Sequence, residues 1–353
     1  MEINDPSQEN DIYLNDFISN NGTSSPYDEA ADFSSNPNHW FASLWRELGN
    51  YWDNWYDFND DDQDGNYNGP YTVYNMGKTD DFPLVYSHSY YDPMEIHVDD
   101  DYSSSTTGWN VTRFNKTQAG IDVAPEGAMI YIHNGTYNEN LAIDKRIYLW
   151  GDNREKTIIN AAESGNVIDI NADMVVISSL TIKNDSAGDY GINVENRTWA
   201  ILHNLNITEN DIGIHLKNAN NTRVFDCFIH GNENQGMYVE DSEGVTIINS
   251  TFYYNSLETN GSWDLELKGN EFFGAGWTLI ASGPQEAASH TVKENEVNGD
   301  ALLYVVNQDY VYNDENPGQL ILVNVNHSYG YQMSIEGTTV GIISYFSNNN
   351  TFL

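Results

Sequence analysis

The chain has 353 residues, with 53 Asp and Glu against 14 Lys and Arg, so its formal net charge at pH 7 is −39. That balance excludes nucleic-acid binding through a basic surface, because phosphate contacts need clustered Lys and Arg. It also disfavours docking on anionic lipid and suits a saline environment. Aromatic residues make up 13% of the chain, which indicates a folded protein rather than a disordered acidic tail.

Simple features of the sequence disfavour further classes of protein. Cys227 is the only cysteine, so neither a disulfide framework nor a cysteine-based zinc site is predicted. No stretch approaches the roughly 18 apolar residues of a membrane span, and no membrane insertion by this chain is expected. The first residues contain neither a basic nor an apolar region, so no signal peptide is predicted.

An acidic loop near the N-terminus carries three aspartates at alternate positions, followed by Gly65. This pattern matches the first half of a calcium loop, in which glycine makes the sharp turn. The twelfth position is Tyr71 rather than the bidentate Glu of an EF-hand, and no helices are predicted beside it. We therefore predict a structural calcium site outside the EF-hand class, with a solvated acidic loop as the alternative. The predicted ligands are Asp60, Asp62, Asp64, Asn66 and Asn68.

The best amphipathic helix candidate spans residues 112–125. Its apolar residues Phe114, Ile121 and Val123 are expected to cover the first layer of a β-structure, because a terminal strand would otherwise expose the core. Strand-like segments follow at 129–133, 135–141, 147–151 and 157–160.

A short phrase recurs from about residue 174. Each copy alternates apolar with polar residues, which is the period of a half-buried strand. The closing apolar residues are spaced by 25, 22, 23, 20 and 25 positions: Ile182, Ile207, Ile229, Phe252, Phe272 and Val297. A second phrase begins at Gly191, Gly213 and Gly236, and linkers rich in Asn, Asp, Gly and Ser favour turns.

Repeats of 20–25 residues cannot bury their own apolar faces, so each must stack on the next. Strands stacked about 4.8 Å apart in this way form a parallel β-solenoid. One position of the repeat should point inward, and it is occupied by Leu180, Leu205, Cys227, Ser250, Asn270 and Asn295. Cys227 is therefore predicted to be buried and inert. The asparagines are predicted to form a hydrogen-bonded ladder, unless the register slips there.

The run from Val98 to Trp109, the phrase Gly135–Glu139 and the phrase Leu149–Gly151 resemble the start of a right-handed parallel β-helix. They are similar to NosD-like members of the pectin-lyase-like superfamily, also called the carbohydrate-binding and sugar-hydrolase domain. This resemblance covers about residues 95–353. It implies an all-β chain, built as a single-stranded right-handed solenoid with a short N-terminal capping helix.

The N-terminal residues resemble the segment that ends such a β-helix. The resemblance therefore implies the tail of a preceding β-helix at 1–48, a terminal cap and linker with the acidic loop at 49–94, and a β-helix at 95–353. A fragment of a longer tandem protein, with a β-helix neighbour upstream, is expected. That origin would account for the missing signal peptide of an extracellular or cell-surface protein.

Catalytic signatures of related enzymes give little support to catalysis. Polygalacturonase-like and pectate-lyase-like signatures are absent. Gly135–Glu139 matches a pectin methylesterase phrase, but that family's catalytic motifs are missing, so a structural role is expected. Carboxylates near predicted turns are nevertheless candidates for a pair about 5–9 Å apart, as in glycosidases; they are Asp211, Glu240, Asp241 and Glu243.

The NosD-like resemblance also implies copper as an alternative. The nearest grouping of soft or borderline ligands is His88, Met94 and His97, and it matches no copper-site spacing. The favoured hypothesis is a non-catalytic extracellular or cell-surface module that acts as a rigid acidic scaffold or a carbohydrate-binding surface for a polysaccharide or glycan. The rivals are a polysaccharide hydrolase or lyase, and a copper-related accessory protein.

Overall fold

The computed structural model describes residues 95–162, 164–184, 189–309, 316–330 and 333–352, together with the backbone of a few short strands elsewhere. Two units are formed, Met1–Pro93 and Met94–Leu353. In the first unit, the described strands are the parallel pairs Glu2–Ile3 with Ala31–Asp32 and Asp16–Phe17 with Tyr51–Trp52, and the antiparallel pair Tyr71–Val73 with Lys78–Asp80. The predicted calcium ligands Asp60, Asp62, Asp64, Asn66 and Asn68 lie outside the described residues, and that site stays a prediction.

The second unit is a solenoid, and each of its turns contributes strands to three long sheets in succession. Sheet 1 has ten strands: Arg113–Phe114, Glu95–Val98, Met129–Ile132, Tyr148–Gly151, Val176–Ser178, Ile201–His203, Arg223–Phe225, Thr246–Ile248, Glu266–Lys268 and Thr291–Lys293. Sheet 2 has eleven: Gly135–Asn138, Thr157–Asn160, Thr181–Lys183, Asn206–Thr208, Phe228–His230, Thr251–Tyr253, Glu271–Phe273, Glu296–Val297, Asp300–Val306, Gln319–Val323 and Ile342–Tyr345. Sheet 3 has seven: Leu141–Ile143, Ile168–Ile170, Tyr190–Glu195, Ile212–Lys217, Met237–Glu240, Leu257–Asn260 and Trp277–Ile280.

The core is the interior of this solenoid. The inward-facing side chains of the strands fill it. In sheet 2, Ile229, Phe252 and Phe272 stand in register on successive strands and are fully buried. Their neighbours in sequence point outward, because successive side chains of a strand lie on opposite faces. The all-β parallel solenoid predicted from the repeats is confirmed.

Each repeated phrase bends at its middle and so supplies two strands rather than one. The bend residue has a positive φ, for example 49° at Asn204, 54° at Asp226 and 48° at Asn249. Asn and Asp tolerate this left-handed conformation better than other residues that carry a side chain. The polar bend residues therefore fix the corner between sheet 1 and sheet 2.

The predicted asparagine ladder is present just inside this corner. Asn295 Oδ1 accepts hydrogen bonds from the backbone N–H of Asn270 at 3.0 Å and from Asn270 Nδ2 at 2.9 Å. Asn270 Oδ1 in turn accepts from the backbone N–H of Ser250 at 2.9 Å. The same column holds Cys227, which is 2% exposed, and burial raises its thiol pKa to about 12. The predicted burial of this thiol is thus confirmed.

A second ladder, which the sequence did not reveal, follows sheet 2. Asn232 Oδ1 accepts from Asn210 Nδ2 at 2.9 Å, and Asn255 Oδ1 accepts from Asn232 Nδ2 at 3.0 Å. All three residues are buried. The same oxygens accept from the backbone N–H groups of Asn210 at 3.1 Å and Asn232 at 2.9 Å. Side-chain amides thus satisfy backbone groups at a corner where strand hydrogen bonding stops.

A short helix, Thr117–Val123, covers the first turns. The predicted span of 112–125 is too long, because Arg113–Phe114 pairs into sheet 1 as a strand. The Glu139 carboxylate accepts hydrogen bonds from the backbone N–H groups of Thr117 at 2.7 Å and Gln118 at 3.1 Å. It thereby satisfies free N–H groups at the helix start, so this residue of the Gly135–Glu139 phrase has a structural contact. The expected role of Val123 is wrong. Its side chain is 48% exposed whereas Ile121 is 1% exposed, because positions two apart lie on nearly opposite sides of a helix.

The chain reverses direction at Asn298 and Gly299. Both have positive φ, 55° and 87°, as a type I′ hairpin turn requires. The strands Glu296–Val297 and Asp300–Val306 on either side pair antiparallel. The later strands of sheet 2 are parallel to one another, and a three-stranded sheet accompanies them: Tyr312–Asn313, Tyr329–Gly330 and Thr351–Phe352. A second helix, Pro284–Ala287, is a single turn. Neither helix in the described part of the chain has the length and apolar character needed to cross a bilayer.

Candidate functional site

Three aromatic side chains form a cluster on the outer face of sheet 2, and we call it the aromatic ledge: Tyr253, Tyr254 and Phe273. Tyr253 is 45% exposed and Tyr254 is 69% exposed. Their rings meet edge to face with centroids 4.6 Å apart, and the Phe273 ring lies 6.2 Å from that of Tyr253. Exposed aromatic rings grouped on one face are an informative departure from an ordinary polar surface.

The local sequence explains why these rings face outward. Tyr253 and Phe273 directly follow the inward-facing Phe252 and Phe272, and they pair with each other in register. Tyr254 has a φ of 52°, and its ring lies over Gly274. A Cβ at Gly274 would come within 2.4 Å of that ring, so only glycine leaves room for it.

Polar groups border the ledge on the preceding turns. The His230 ring stacks on Phe228 with centroids 4.4 Å apart, and its Nε2 lies 2.9 Å from Asn206 Oδ1. Burial lowers the pKa of His230. The neighbouring Lys183 Nζ and Glu209 Oε2 form an ion pair at 3.1 Å. Ring faces beside hydrogen-bonding groups are suited to a ligand that carries both CH and OH groups.

A second cluster of chemically active side chains lies on the outer face of sheet 3. His215 Nε2 is 3.2 Å from Glu240 Oε1, and its Nδ1 is 2.9 Å from Asn193 Oδ1. Lys217 Nζ forms an ion pair with the same Glu240 oxygen at 3.0 Å. The rings of Tyr190 and Tyr238 flank His215 at 4.3 Å and 5.7 Å between centroids. These contacts join side chains from three successive turns.

The electrostatics of this cluster fix the charge on Glu240. Burial by itself would raise the pKa of Glu240, but hydrogen bonds from Lys217 and His215 lower it overall. Burial lowers the pKa of His215 despite the opposing effect of the Glu240 carboxylate. Glu240 is therefore a carboxylate at neutral pH. A group in that state accepts protons and does not act as a general acid.

The other predicted carboxylates occupy corners. Asp211 accepts a hydrogen bond from Asn234 Nδ2. Asp241 has a φ of 50°, and the exposed Glu243 follows it at the turn after the strand Met237–Glu240. Of the four candidates, Glu240 is the one that sheet 3 places in the His215 cluster. Its partners are 23 and 25 residues away in sequence, so register alone brings them together.

Of the grouping His88, Met94 and His97, His97 alone lies in the described part of the chain. His97 belongs to sheet 1, where its ring nitrogen contacts His133. His88 and Met94 lie outside the described residues. The sequence did not single out His133 as a partner, because 36 residues separate it from His97.

Comparisons with known proteins agree with the observed solenoid fold. Residues 146–317 match the family model described as "Right handed beta helix region". Solved structures with similar coils include pectin methylesterase from carrot, at 14% identity, 59% coverage of this chain, 84% coverage of that chain and a TM-score of 0.37. A rhamnogalacturonan lyase shares 12% identity, with 67% and 68% coverage and a TM-score of 0.43. Pectin methylesterase from Yersinia enterocolitica shares 12% identity, with 67% and 90% coverage and a TM-score of 0.30.

Among curated proteins, none matches this chain significantly. The observed topology shows that the second unit is a parallel β-helix, and about half of the chain matches the right-handed β-helix model. The fold predicted from the sequence is thereby confirmed. The narrower resemblance to NosD-like proteins stays a prediction.

Proposed function

We propose that this chain is a non-catalytic, carbohydrate-binding β-helix module that works outside the cell or on its surface. The observation that carries the proposal is the aromatic ledge. Sugars present apolar CH faces between their hydroxyl groups, and an aromatic ring face is a favourable partner for such a surface. Tyr253 and Tyr254 are 45% and 69% exposed at one spot, above the buried Phe252 and Phe272.

The direction of the ledge favours a polymer over a single sugar. His230, Tyr253 and Phe273 stand in register on three successive strands of sheet 2, and neighbouring strands are about 4.8 Å apart. The rings thus follow the long axis of the coil, along which an extended glycan would lie. The net charge of −39 repels polyanions, so a neutral polysaccharide is the preferred ligand class.

Replacement of both ledge tyrosines, Tyr253→Ala with Tyr254→Ala, is expected to weaken polysaccharide binding about 5- to 150-fold. Two aromatic contacts worth about 0.5–1.5 kcal/mol each account for that range. Affinity electrophoresis through gels that contain neutral or uronic-acid polysaccharides measures the effect. Trp263→Ala is the matched control, because Trp263 is 42% exposed at a different corner.

Retarded migration that persists in the double variant would refute the ledge as the binding surface.

A second candidate function, a polysaccharide-active enzyme, is favoured by the His215–Glu240–Lys217 cluster. Release of reducing ends by wild type that is lost in Glu240→Gln would support that enzyme against the module. If the protein is a non-catalytic module, neither wild type nor Glu240→Gln should release reducing ends.

Calcium is proposed as a structural ion of the N-terminal acidic loop. Calcium at about 100 times its dissociation constant is expected to add about 2.7 kcal/mol to the free energy of unfolding. The melting temperature of wild type should therefore be higher in calcium than in EDTA. The double variant Asp62→Ala with Asp64→Ala should melt at the same temperature in both. The matched control is Asp99→Ala with Asp101→Ala in the other acidic run, which should keep the wild-type response. A double variant at Asp62 and Asp64 that still responds to calcium would rule out this loop.

A further inference from the structure

A pocket of about 500 Å³ lies at the corner between sheet 2 and sheet 3, beside the first helix. Lys116 precedes the helix Thr117–Val123, and Asn138 ends the first strand of sheet 2. Asp169 lies in the second strand of sheet 3, and Ser164 belongs to the loop before that strand. Sites for small molecules occupy about 300–1,000 Å³, so this corner pocket is large enough to hold one.

Side-chain amides fix the wall of the corner pocket across successive turns. Asn140 Nδ2 donates to the Asn166 carbonyl oxygen at 2.9 Å, and Asn140 Oδ1 accepts from the Ala162 N–H at 3.0 Å. Asn166 Oδ1 accepts from the Tyr190 N–H at 3.0 Å. These bonds hold the lining in place before a ligand arrives, which lowers the entropy cost of binding.

Two side chains of the pocket use one atom for the fold and leave the other for a ligand. Asn138 Oδ1 accepts from Asn160 Nδ2 at 3.0 Å. Asp169 Oδ1 accepts from Asn166 Nδ2 at 2.7 Å and from Asn193 Nδ2 at 3.0 Å. Within the described ranges, Asn138 Nδ2 and Asp169 Oδ2 have no hydrogen-bond partner.

Lys116 and Ser164 contribute an ammonium and a hydroxyl group to the same pocket. Both residues are exposed, and in the part of the chain that the structure describes neither Lys116 Nζ nor Ser164 Oγ is hydrogen-bonded. With Asn138 and Asp169, they offer a ligand both donors and acceptors. A molecule with several hydroxyl groups matches this set, because each hydroxyl both donates and accepts.

The composition of the lining disfavours other classes of ligand. The carboxylates of Glu139 and Asp169 outnumber the ammonium of Lys116, so phosphates and uronic acids are repelled. Ca²⁺ takes about 6–8 oxygen ligands, whereas Glu139 is bound to the helix start and Asp169 has one free oxygen. The described lining has no aromatic side chain, so a flat apolar molecule would gain little.

We propose that the corner pocket binds a neutral saccharide through its hydroxyl groups. Asn138 Nδ2, Lys116 Nζ and Ser164 Oγ donate to the sugar, and Asp169 Oδ2 accepts from it. This site is additional to the aromatic ledge and stands if the ledge proposal fails. The pocket borders the first two strands of sheet 2, whereas Tyr253 and Phe273 lie on its sixth and seventh strands.

The test is saturation-transfer NMR of the full chain with three neutral trisaccharides, cellotriose, mannotriose and xylotriose, at millimolar concentration. Trigalacturonate is the anionic comparison. Wild type is expected to bind at least one neutral trisaccharide more tightly than trigalacturonate. Asp169→Asn and Asn138→Asp each keep the Oδ1 that the fold uses and invert the free atom. Each should weaken binding about 5- to 100-fold, the usual effect of losing a hydrogen bond of this kind.

Asp144→Asn is the matched control, because Asp144 is an exposed corner residue outside the pocket whose Oδ1 accepts from Asn171 Nδ2 at 3.1 Å. It makes the same change of charge and should bind like wild type. Ser164→Ala removes only an exposed hydroxyl group and should also weaken binding, and circular dichroism verifies the fold of each variant.

Three results would overturn the proposal. The first is no saturation transfer from wild type to any of the neutral trisaccharides, or tighter binding of trigalacturonate. The second is unchanged affinity in Asp169→Asn and Ser164→Ala. The third is loss of trisaccharide binding in Tyr253→Ala with Tyr254→Ala, which would assign that binding to the ledge. Gel retardation by polysaccharide tests the ledge separately, so the two proposals succeed or fail independently.

Discussion

Asn270→Ala is expected to lower the free energy of unfolding by about 2–5 kcal/mol. Asn270 is fully buried, and its side chain serves two backbone groups: it accepts from the Ser250 N–H at 2.9 Å and donates to the Ile247 carbonyl at 2.8 Å. Alanine would leave both groups buried without a partner, at about 1–3 kcal/mol for each. Guanidinium unfolding followed by circular dichroism measures the loss.

Glu271→Ala is the matched control for this variant. Glu271 is the next residue, is exposed, and lies on the same sheet 2 strand. Surface substitutions of this kind change stability by about 0.5 kcal/mol or less. Equal midpoints for Asn270→Ala and Glu271→Ala would show that the ladder contributes nothing beyond ordinary strand pairing.

Phe252→Ala is expected to lower the free energy of unfolding by about 3–5 kcal/mol, the usual cost of truncating a buried phenylalanine. Phe252 is fully buried in the interior of the coil, where its ring stacks on that of Phe272 with centroids 4.8 Å apart. Alanine removes this contact and leaves a cavity that two rigid neighbouring turns cannot fill. The same denaturation experiment measures the effect, and Phe252→Leu should retain most of the stability.

The adjacent residue provides a sharp contrast. Tyr253→Ala removes a ring of similar size whose side chain points outward and is 45% exposed. It should alter stability little and should weaken polysaccharide binding instead. If both variants lose stability to the same extent, the alternation of inward and outward residues at this strand is incorrect. The pair therefore separates the core contribution of a strand from its binding contribution.

The repeats made the solenoid predictable. They also made one column of inward-facing residues predictable position by position. Leu180, Cys227 and Asn270 recur at equivalent positions, and all three are buried. A solenoid places equivalent residues of successive turns directly above one another. Residues one repeat apart in sequence are therefore neighbours in space, and the asparagine ladder could be predicted together with the fold.

The capping helix was predictable in kind and not in detail. Ile121 is buried in the helix as expected, but Phe114 is buried in a strand instead and Val123 is exposed. An amphipathic pattern over a single short helix constrains its rotation poorly, because a turn or two of helix contains few apolar positions. The contact of Glu139 with the helix start is likewise a tertiary feature, since it joins residues 21 and 22 positions apart.

The sequence by itself therefore determined the architecture of this protein: stacked turns, an apolar interior, polar corners and an acidic exterior. Only the tertiary structure decided which outward side chains meet. His97 with His133, Glu240 with His215 and Lys217, and Tyr253 with Phe273 are all neighbours across turns. Those turns differ in length, so the outward register depends on how each loop closes. The interior register is imposed by burial of the inward-facing apolar residues, whereas no comparable force ties outward residues to a repeating pattern.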